Sequence, residues 1–156
     1  MTERSILDPG VRRFVADART ATLATIAPDG RPRLVPVCFV LLHLEAPDAA
    51  VLWTPLDDKP KRSTDSYRLA RVRDIAARPE VTLLVDRWSE DWERLAWVRC
   101  RGRAALVEPP ASPERAAVIA ALRAKYPQYD DHRLEDQPLI RIEIDDVTSW
   151  GAFGDD

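Results

Sequence analysis

The sequence predicts an α+β fold, a six-stranded antiparallel β-barrel with about three flanking helices. The strand-like runs are short and joined by turns, as in hairpins, and the helical patterns do not alternate regularly with them. There is no G-x-G-x-x-G or Walker A sequence, so a doubly wound parallel sheet is not expected. With 156 residues, 46% of them hydrophobic, residues 1–156 are predicted to form a single domain with its own core.

The first elements are a helix and a β-hairpin. Asp8-Pro9 has the pattern of an N-cap followed by proline at the first helical position. Strands are predicted over residues 20–26 and 31–44, and residues 27–30 supply a proline and a glycine for the turn between them. Pro36 lies inside the second strand and cannot donate to a ladder. Pro36 therefore marks a bulge, an edge strand, or a stretch of backbone that is not paired in the ladder and faces another group.

The later elements follow from apolar periodicity and from proline and glycine positions. A helix is expected over residues 65–78, with Leu69, Val72, Ile75 and Ala76 facing inward. Gly102 is expected at a bulge or at a close approach of another backbone. The remaining elements are strands over 50–54, 81–86, 95–107 and 138–144, and a helix that starts at Ser112-Pro113 and stops before Pro127.

A basic segment separates the third predicted strand from the second helix. Lys59, Lys61 and Arg62 lie within four positions, just before the candidate N-caps at residues 64–66. Free N–H groups, the helix dipole and these cations make a plausible anion site. The alternative is a solvated basic turn partly neutralised by Asp57 and Asp58.

Charge and composition argue against several classes of protein. A net charge of −3 argues against a general nucleic-acid binder. No apolar run is long enough to span a bilayer, and the N-terminus has no apolar signal region, so a cytoplasmic location is expected. Cys38 and Cys100 are expected to be free thiols. Together with His43 and His132 they lack metal-ligand spacing, so no metal site is predicted.

Acid–base or nucleophilic catalysis finds no support in the sequence. There is no G-x-S-x-G, and we assign no catalytic residue. Trp88, Trp92 and Trp97 cluster around the fourth and fifth predicted strands. Their rings suit packing in the core or in a dimer interface, and they equally suit stacking against a flat cofactor. A phosphate clamp with aromatic walls and no acid–base pair is what a bound redox cofactor needs.

Five segments in register carry a family resemblance across most of the chain. They are residues 21–32, residues 34–39, Trp53-Thr54, Lys59-Pro-Lys-Arg62 and residues 75–86. This series resembles the FMN-binding split-barrel proteins, the pyridoxamine 5′-phosphate oxidase-like class. Within it the coenzyme F420 (deazaflavin) branch looks closest, because of the Pro-Lys-Arg loop, the Trp88–Trp97 segment and Thr148-Ser-Trp-Gly151.

The resemblance implies a homodimer with two cofactor sites at the subunit interface. Lys59, Lys61 and Arg62 would hold the cofactor phosphate, and Thr54 would hydrogen-bond near it. The backbone of Val35, Pro36 and Val37 would run along the ring system. Trp92, from the same or the partner subunit, and Trp150 would line the site.

The chain also departs from pyridoxamine phosphate oxidases themselves. Their R-x-x-L-L-K segment is replaced by Arg33-Leu-Val-Pro-Val-Cys38, and their C-terminal arginine motif is absent. The expected function is therefore a coenzyme F420-dependent oxidoreductase that transfers a hydride between the reduced cofactor and a small organic acceptor. The alternatives are an FMN-binding oxidoreductase of the same fold and a non-catalytic cofactor carrier. Two further alternatives are a haem-handling split barrel and a purely structural dimer, and the two histidines offer little support for haem ligation.

Overall fold

A computed structural model describes residues 6–56 and 69–154. These residues form seven strands and three α-helices, with three short 3-10 turns. The strands are β1 (Ala21–Ile26), β2 (Pro32–Val37), β3 (Val40–Leu41), β4 (Val51–Pro55), β5 (Glu80–Arg87), β6 (Ala96–Val107) and β7 (Leu139–Gly151). The helices are α1 (Pro9–Asp17), α2 (Ala70–Ala77) and α3 (Pro113–Lys125).

The strands make one antiparallel sheet in the order β2-β1-β5-β6-β7-β4-β3. Its two outermost strands, β2 and β3, are consecutive in the chain. Three peptide steps from Val37 to Val40 span at most about 11 Å. A flat sheet of this order would be about 29 Å wide. The sheet must therefore curl until its edges meet, which confirms the predicted α+β split barrel.

The sheet has seven strands where the sequence predicts six. The predicted strand over 31–44 breaks at Cys38-Phe39, where the chain crosses from one sheet edge to the other. Phe39 N donates a hydrogen bond of 3.1 Å to the Tyr126 hydroxyl, which in turn lies 3.2 Å from Phe39 O. The backbone of Phe39 therefore hydrogen-bonds to the side chain of Tyr126, at the C-terminal end of α3, instead of to a neighbouring strand.

Turns and glycines follow the expectations closely. Gly30 has φ of 84° in the β1–β2 turn, where its N–H donates to Ala27 O at 2.8 Å. The β6–β7 register shifts between Arg101 and Gly102, as expected of a bulge. A Cβ at Gly102 would lie 2.2 Å from Glu143 O, so the close backbone approach is also present.

Two element predictions need correction. The last strand ends at Gly151 rather than at residue 144, because it pairs along all of β6 up to Ala96. The second helix is described over Ala70–Ala77, and residues 65–68 of its predicted range lie outside the described residues. In this helix Ala76 is exposed, whereas Asp74 is buried with Val72 and Ile75.

The apolar core has two parts. Alternate residues of every long strand point into the barrel, and α1 and α2 contribute Val11, Val15, Val72 and Ile75. The second part lies outside the barrel, where Val118, Ile119 and Leu122 of α3 pack against Trp53 and Leu139. Because β4 is covered on both sides, all five of its residues are buried.

A buried arginine holds α3 to the segment that follows it. Arg115 is almost fully buried, and burial lowers its pKa. Its guanidinium donates hydrogen bonds to the carbonyls of Val107, Leu134, Glu135 and Gln137. Its charge is therefore spread over carbonyl dipoles, which explains why an arginine is tolerated there. None of the helices in the described ranges has the length and apolar character required to cross a membrane.

Candidate functional site

Part of the barrel's outer surface is not covered by any helix or loop within residues 6–56 and 69–154. We call it the open face: the outward-pointing residues of β2, β1, β5, the first half of β6 and the second half of β7. Its apolar side chains include Leu34, Leu84, Trp97 and Trp150. Leu34, Leu84 and Trp97 line a shallow cleft of about 480 Å³ on this face. An apolar sheet face of this kind favours a partner or a flat ligand.

The two tryptophans of the open face are cross-strand neighbours. Trp97 on β6 pairs in register with Trp150 on β7, and Asp86 on β5 is its partner on the other side. The guanidinium of Arg99 lies 5.7 Å from the Trp97 ring centroid, a cation–π distance. Trp150 remains 54% exposed, so its ring offers a stacking surface.

The predicted ring-binding strand, β2, is an outermost strand of the sheet. Val35 and Val37 pack against the barrel core, while Pro36 is exposed on the open face opposite Thr22. Of the three interpretations of Pro36, the structure supports a position on an edge strand. A proline costs no ladder hydrogen bond on an open edge.

Thr54 lies on the other side of the split. It is 1% exposed, and it follows Trp53, which pairs with Val40 of β3. The Cys38-Phe39 crossover therefore brings the end of β2 close to the end of β4. Lys59, Lys61 and Arg62, which follow β4, lie outside the described residues, so their grouping and their phosphate role remain predictions.

Trp92 and Trp150 are both on the surface, and Trp150 lies apart from Pro36. Trp92 is 72% exposed and opens a short 3-10 turn (Trp92–Arg94). Trp150 is four strands away from Pro36, about 19 Å along the sheet. At that separation one ring system cannot rest on Pro36 and Trp150 of the same protomer, so these two predicted contacts come together only if two protomers contribute.

A buried carboxylate that the sequence analysis missed lies behind β2. Asp74 of α2 accepts hydrogen bonds from Thr25 Oγ1 and Arg33 Nε, both at 2.8 Å. Burial alone would raise the pKa of Asp74. The hydrogen bonds from Arg33 and Thr25, with the charges of Arg33 and Arg73, lower that pKa below its usual value. Asp74 is therefore ionised, and it fastens the edge strand to α2.

A second missed group fixes the crossover itself. Lys125 Nζ donates to Phe39 O at 3.0 Å and lies 4.0 Å from the Phe39 ring centroid. Burial, with the nearby charge of Arg19, lowers the pKa of Lys125 to about 8. The Tyr126 hydroxyl also lies 2.9 Å from Arg19 O. No sequence signal marked these side chains, because both looked like the ordinary end of a helix.

The cysteines and histidines serve local packing. Both cysteines are free, and burial raises the pKa of Cys100 to about 11, which keeps it an inert thiol. His43 Nδ1 accepts from Ala46 N at 3.0 Å, and His132 packs edge-on against Tyr129. In the part of the chain that the structure describes, no three histidine, cysteine or carboxylate side chains are grouped as metal ligands.

A curled antiparallel sheet whose edges meet, with an exposed aromatic region on its outer face, defines a split-barrel protein. The family model for pyridoxamine 5′-phosphate oxidase matches residues 7–151, and the chain belongs to this family. The resemblance predicted from the sequence is thus confirmed. A comparison with curated proteins found no significant match.

Solved structures share this fold at low sequence identity. The conserved hypothetical protein Rv2991 from Mycobacterium tuberculosis is 21% identical with a TM-score of 0.72, over 97% of this chain and 90% of that one. The haem storage protein HutZ from Vibrio cholerae is 18% identical with a TM-score of 0.66, over 93% and 94%. An F420 reductase is 19% identical with a TM-score of 0.62, over 91% and 98%.

Proposed function

We propose that this protein is a coenzyme F420-dependent oxidoreductase that transfers a hydride between the reduced deazaflavin and a small organic acceptor. The observation that carries the proposal is the meeting of the two sheet edges. It sets β2, the strand predicted to lie along the ring, beside the end of β4, from which the basic segment with Lys59, Lys61 and Arg62 continues. One extended cofactor can therefore be held at its ring and at its phosphate.

The active form in this proposal is a homodimer joined through the open face. A second copy suits this face because Asp86 and Arg99 both lie on it, so a twofold arrangement can set opposite charges against each other. Leu34 and Leu84 would supply apolar contact. Trp150 or Trp92 of one protomer would then meet the β2 edge of the other.

The chemistry in this proposal comes from the cofactor, and the protein supplies binding and orientation. The deazaflavin would provide the hydride. The chain's own residues would hold the phosphate with Lys59, Lys61 and Arg62, support the ring on the β2 backbone, and cover it with tryptophan. Pro36 presents backbone without an N–H donor at the ring. We assign no proton-transfer residue.

Three alternatives remain. FMN binding on the same fold predicts a yellow protein with a flavin spectrum, whereas an F420 protein free of cofactor is colourless. A carrier predicts cofactor affinity without turnover. Haem binding is suggested by the name of HutZ, but His43 and His132 lie on loops away from the open face, so no observation on this chain favours it.

The test is turnover by the purified dimer. Reduced F420 is mixed with a panel of small electrophiles, such as enones and nitroaromatics, and reoxidation is followed by the return of deazaflavin absorbance. The proposal expects at least one acceptor to react faster with protein than with free cofactor. Binding without acceleration of any acceptor would assign the protein to the carrier role instead.

A further inference from the structure

A second cleft, of about 500 Å³, lies at one end of the barrel, between the C-terminal half of α1, the end of β5 and the segment that follows β7. We call it the α1 cleft, and its lining includes Phe14, Arg19, Arg87 and Phe153. We propose that this cleft binds a planar aromatic monocarboxylate. The proposal goes beyond the proposed function, because the lining includes none of the residues predicted to contact the cofactor.

Contacts within the chain hold the walls of the α1 cleft in place. Arg87 Nη2 donates a hydrogen bond of 2.6 Å to Ala152 O, which fastens the segment after β7 to the end of β5. The ring of Phe153 meets the ring of Phe14 edge-on, with 5.2 Å between the centroids. A site whose walls are already ordered loses less entropy when a ligand binds.

Arg87 supplies a cation that is held by carbonyl groups. Its Nε donates to Arg94 O at 2.8 Å, Nη2 donates to Ala152 O, and the guanidinium lies 5.3 Å from the Phe14 ring centroid. Among the described contacts these bonds use two of the five N–H donors of the guanidinium, so Nη1 and the second Nη2 hydrogen are available to a ligand. Two parallel N–H groups of one guanidinium match the two oxygens of a carboxylate.

Arg19 brings a second cation to the same cleft. Its Nη2 donates to Lys125 O at 2.7 Å, and its guanidinium lies 4.8 Å from the Tyr126 ring centroid. Within residues 6–56 and 69–154, neither Arg19 nor Arg87 forms an ion pair with a carboxylate. An anionic ligand would therefore complete the partners of both guanidinium groups.

The charge of the described lining indicates how much negative charge the ligand carries. The charged lining residues are Arg13, Asp17, Arg19, Asp86 and Arg87. Three cations and two anions leave one positive charge in excess. This excess favours a monoanion, whereas a phosphate dianion would bring its second charge close to the two carboxylates.

The apolar part of the lining favours an aromatic ligand. Phe14 and Phe153 are both half-buried, so each ring keeps part of its surface towards the cleft. Offset stacking and edge-to-face contact with these rings are available to a planar aromatic ligand and not to a saturated one of the same size. A volume of about 500 Å³ lies within the range of about 300–1,000 Å³ that is typical of small-molecule sites.

The experiment is a calorimetric titration of the full chain with 2-naphthoate. Three parallel ligands each change one property: 2-naphthylmethanol removes the charge, decahydro-2-naphthoate removes the aromatic rings, and 2-naphthyl phosphate adds a second negative charge. We expect 2-naphthoate to bind, and each of the other three to bind at least fivefold more weakly.

Two variants and one control test the residues. Arg87→Gln and Arg19→Gln each remove one charge from the cleft, and Arg103→Gln removes one from an exposed arginine outside it. We expect the affinity for 2-naphthoate to fall at least fivefold in each of the first two and less than twofold in the control. Because Arg87 also fastens the segment after β7, Arg19→Gln tests the charge with that segment still held.

The position of the bound ligand is read from the backbone amide shifts in NMR spectra, which should change most at Thr20, Arg87 and Phe153. Four results would overturn the proposal: no binding of 2-naphthoate, equal or tighter binding of any parallel ligand, an equal loss of affinity in the control variant, or shifts centred on Leu84 and Trp97. The last result would place the ligand on the open face instead.

Discussion

The buried carboxylate of Asp74 accepts a hydrogen bond from Arg33 Nε at 2.8 Å, across the gap between α2 and the edge strand β2. An outermost strand is paired on one side only, so its position depends on such side-chain ties. In the proposed function, this strand carries the cofactor ring. The Asp74–Arg33 pair is thus a positioning contact as well as a stabilising one.

Replacing Asp74 by Asn keeps the shape and removes the charge. The charge-assisted bond to Arg33 weakens, and we expect the free energy of unfolding to fall by about 1.5–3 kcal/mol. Urea denaturation measures this. The control is Glu80→Gln, whose pair with Arg103 is exposed and worth under about 1 kcal/mol. A loss no larger in Asp74→Asn than in the control would contradict the contact's role.

Acid stability provides a separate test of the same residue. Because the folded pKa of Asp74 is lowered, its contribution is complete above the ordinary carboxyl pKa of about 3.9 and is lost as the pH falls through the lower folded value. The stability difference between wild type and Asp74→Asn should therefore shrink below about pH 4. A difference that stays constant down to pH 2 would show that Asp74 does not titrate as described.

Lys125 predicts a pH effect of the same sign, but at higher pH. Its folded pKa of about 8 lies below its ordinary value of 10.5, so between these values the unfolded chain binds a proton that the folded chain has released. The stability of wild type should then rise with pH relative to Lys125→Met, from about pH 8 to 10. Comparing the two proteins cancels the contribution of the Cys100 thiol, whose pKa is raised. Parallel curves would contradict the buried position of this ammonium group.

The homodimer proposal is tested on the open face. Leu84 is 38% exposed there, and Leu44 is 46% exposed in the β3–β4 loop. Leu84→Arg places a charge in the proposed interface, so we expect the mass measured by light scattering to halve, with a loss of cofactor affinity. Leu44→Arg should change neither. If Leu84→Arg keeps the wild-type mass, the dimer interface does not include this part of the open face.

The basic segment yields a binding prediction. If Lys61 makes a charge-assisted bond to the cofactor phosphate, Lys61→Ala should weaken F420 binding by roughly 1.5–3 kcal/mol, about ten- to a hundredfold in the dissociation constant. Arg133→Ala removes a charge from an exposed site on the α3 side and should leave affinity unchanged. An unaltered dissociation constant in Lys61→Ala would assign Lys61 to the solvated turn.

The sequence predicted the fold because local signals carried most of it. The Pro-Asp-Gly turn, the Ser112-Pro113 helix start and the alternation along β6 each depend on neighbouring residues only. The break at Cys38-Phe39 was not predictable in this way. Those residues are as strand-like as their neighbours, and the break arises from the hydroxyl of Tyr126, a residue 87 positions away from Phe39.

The candidate site was predicted only in part, because the predictions depend on local sequence signals. Pro36 and the tryptophans were noticeable by residue type. Asp74 was not, because an acidic residue on a helix is normally read as solvent-facing, and only its partners on β1 and β2 explain its burial.

The most direct measurement is a side-by-side titration of the pure protein with oxidised F420 and with FMN, followed by fluorescence. We predict one F420 bound per chain, with a dissociation constant in the micromolar range or lower and with tighter binding than FMN. Absence of F420 binding in the micromolar range would contradict the central claim. Tight binding of FMN alone would show that the site binds a flavin instead.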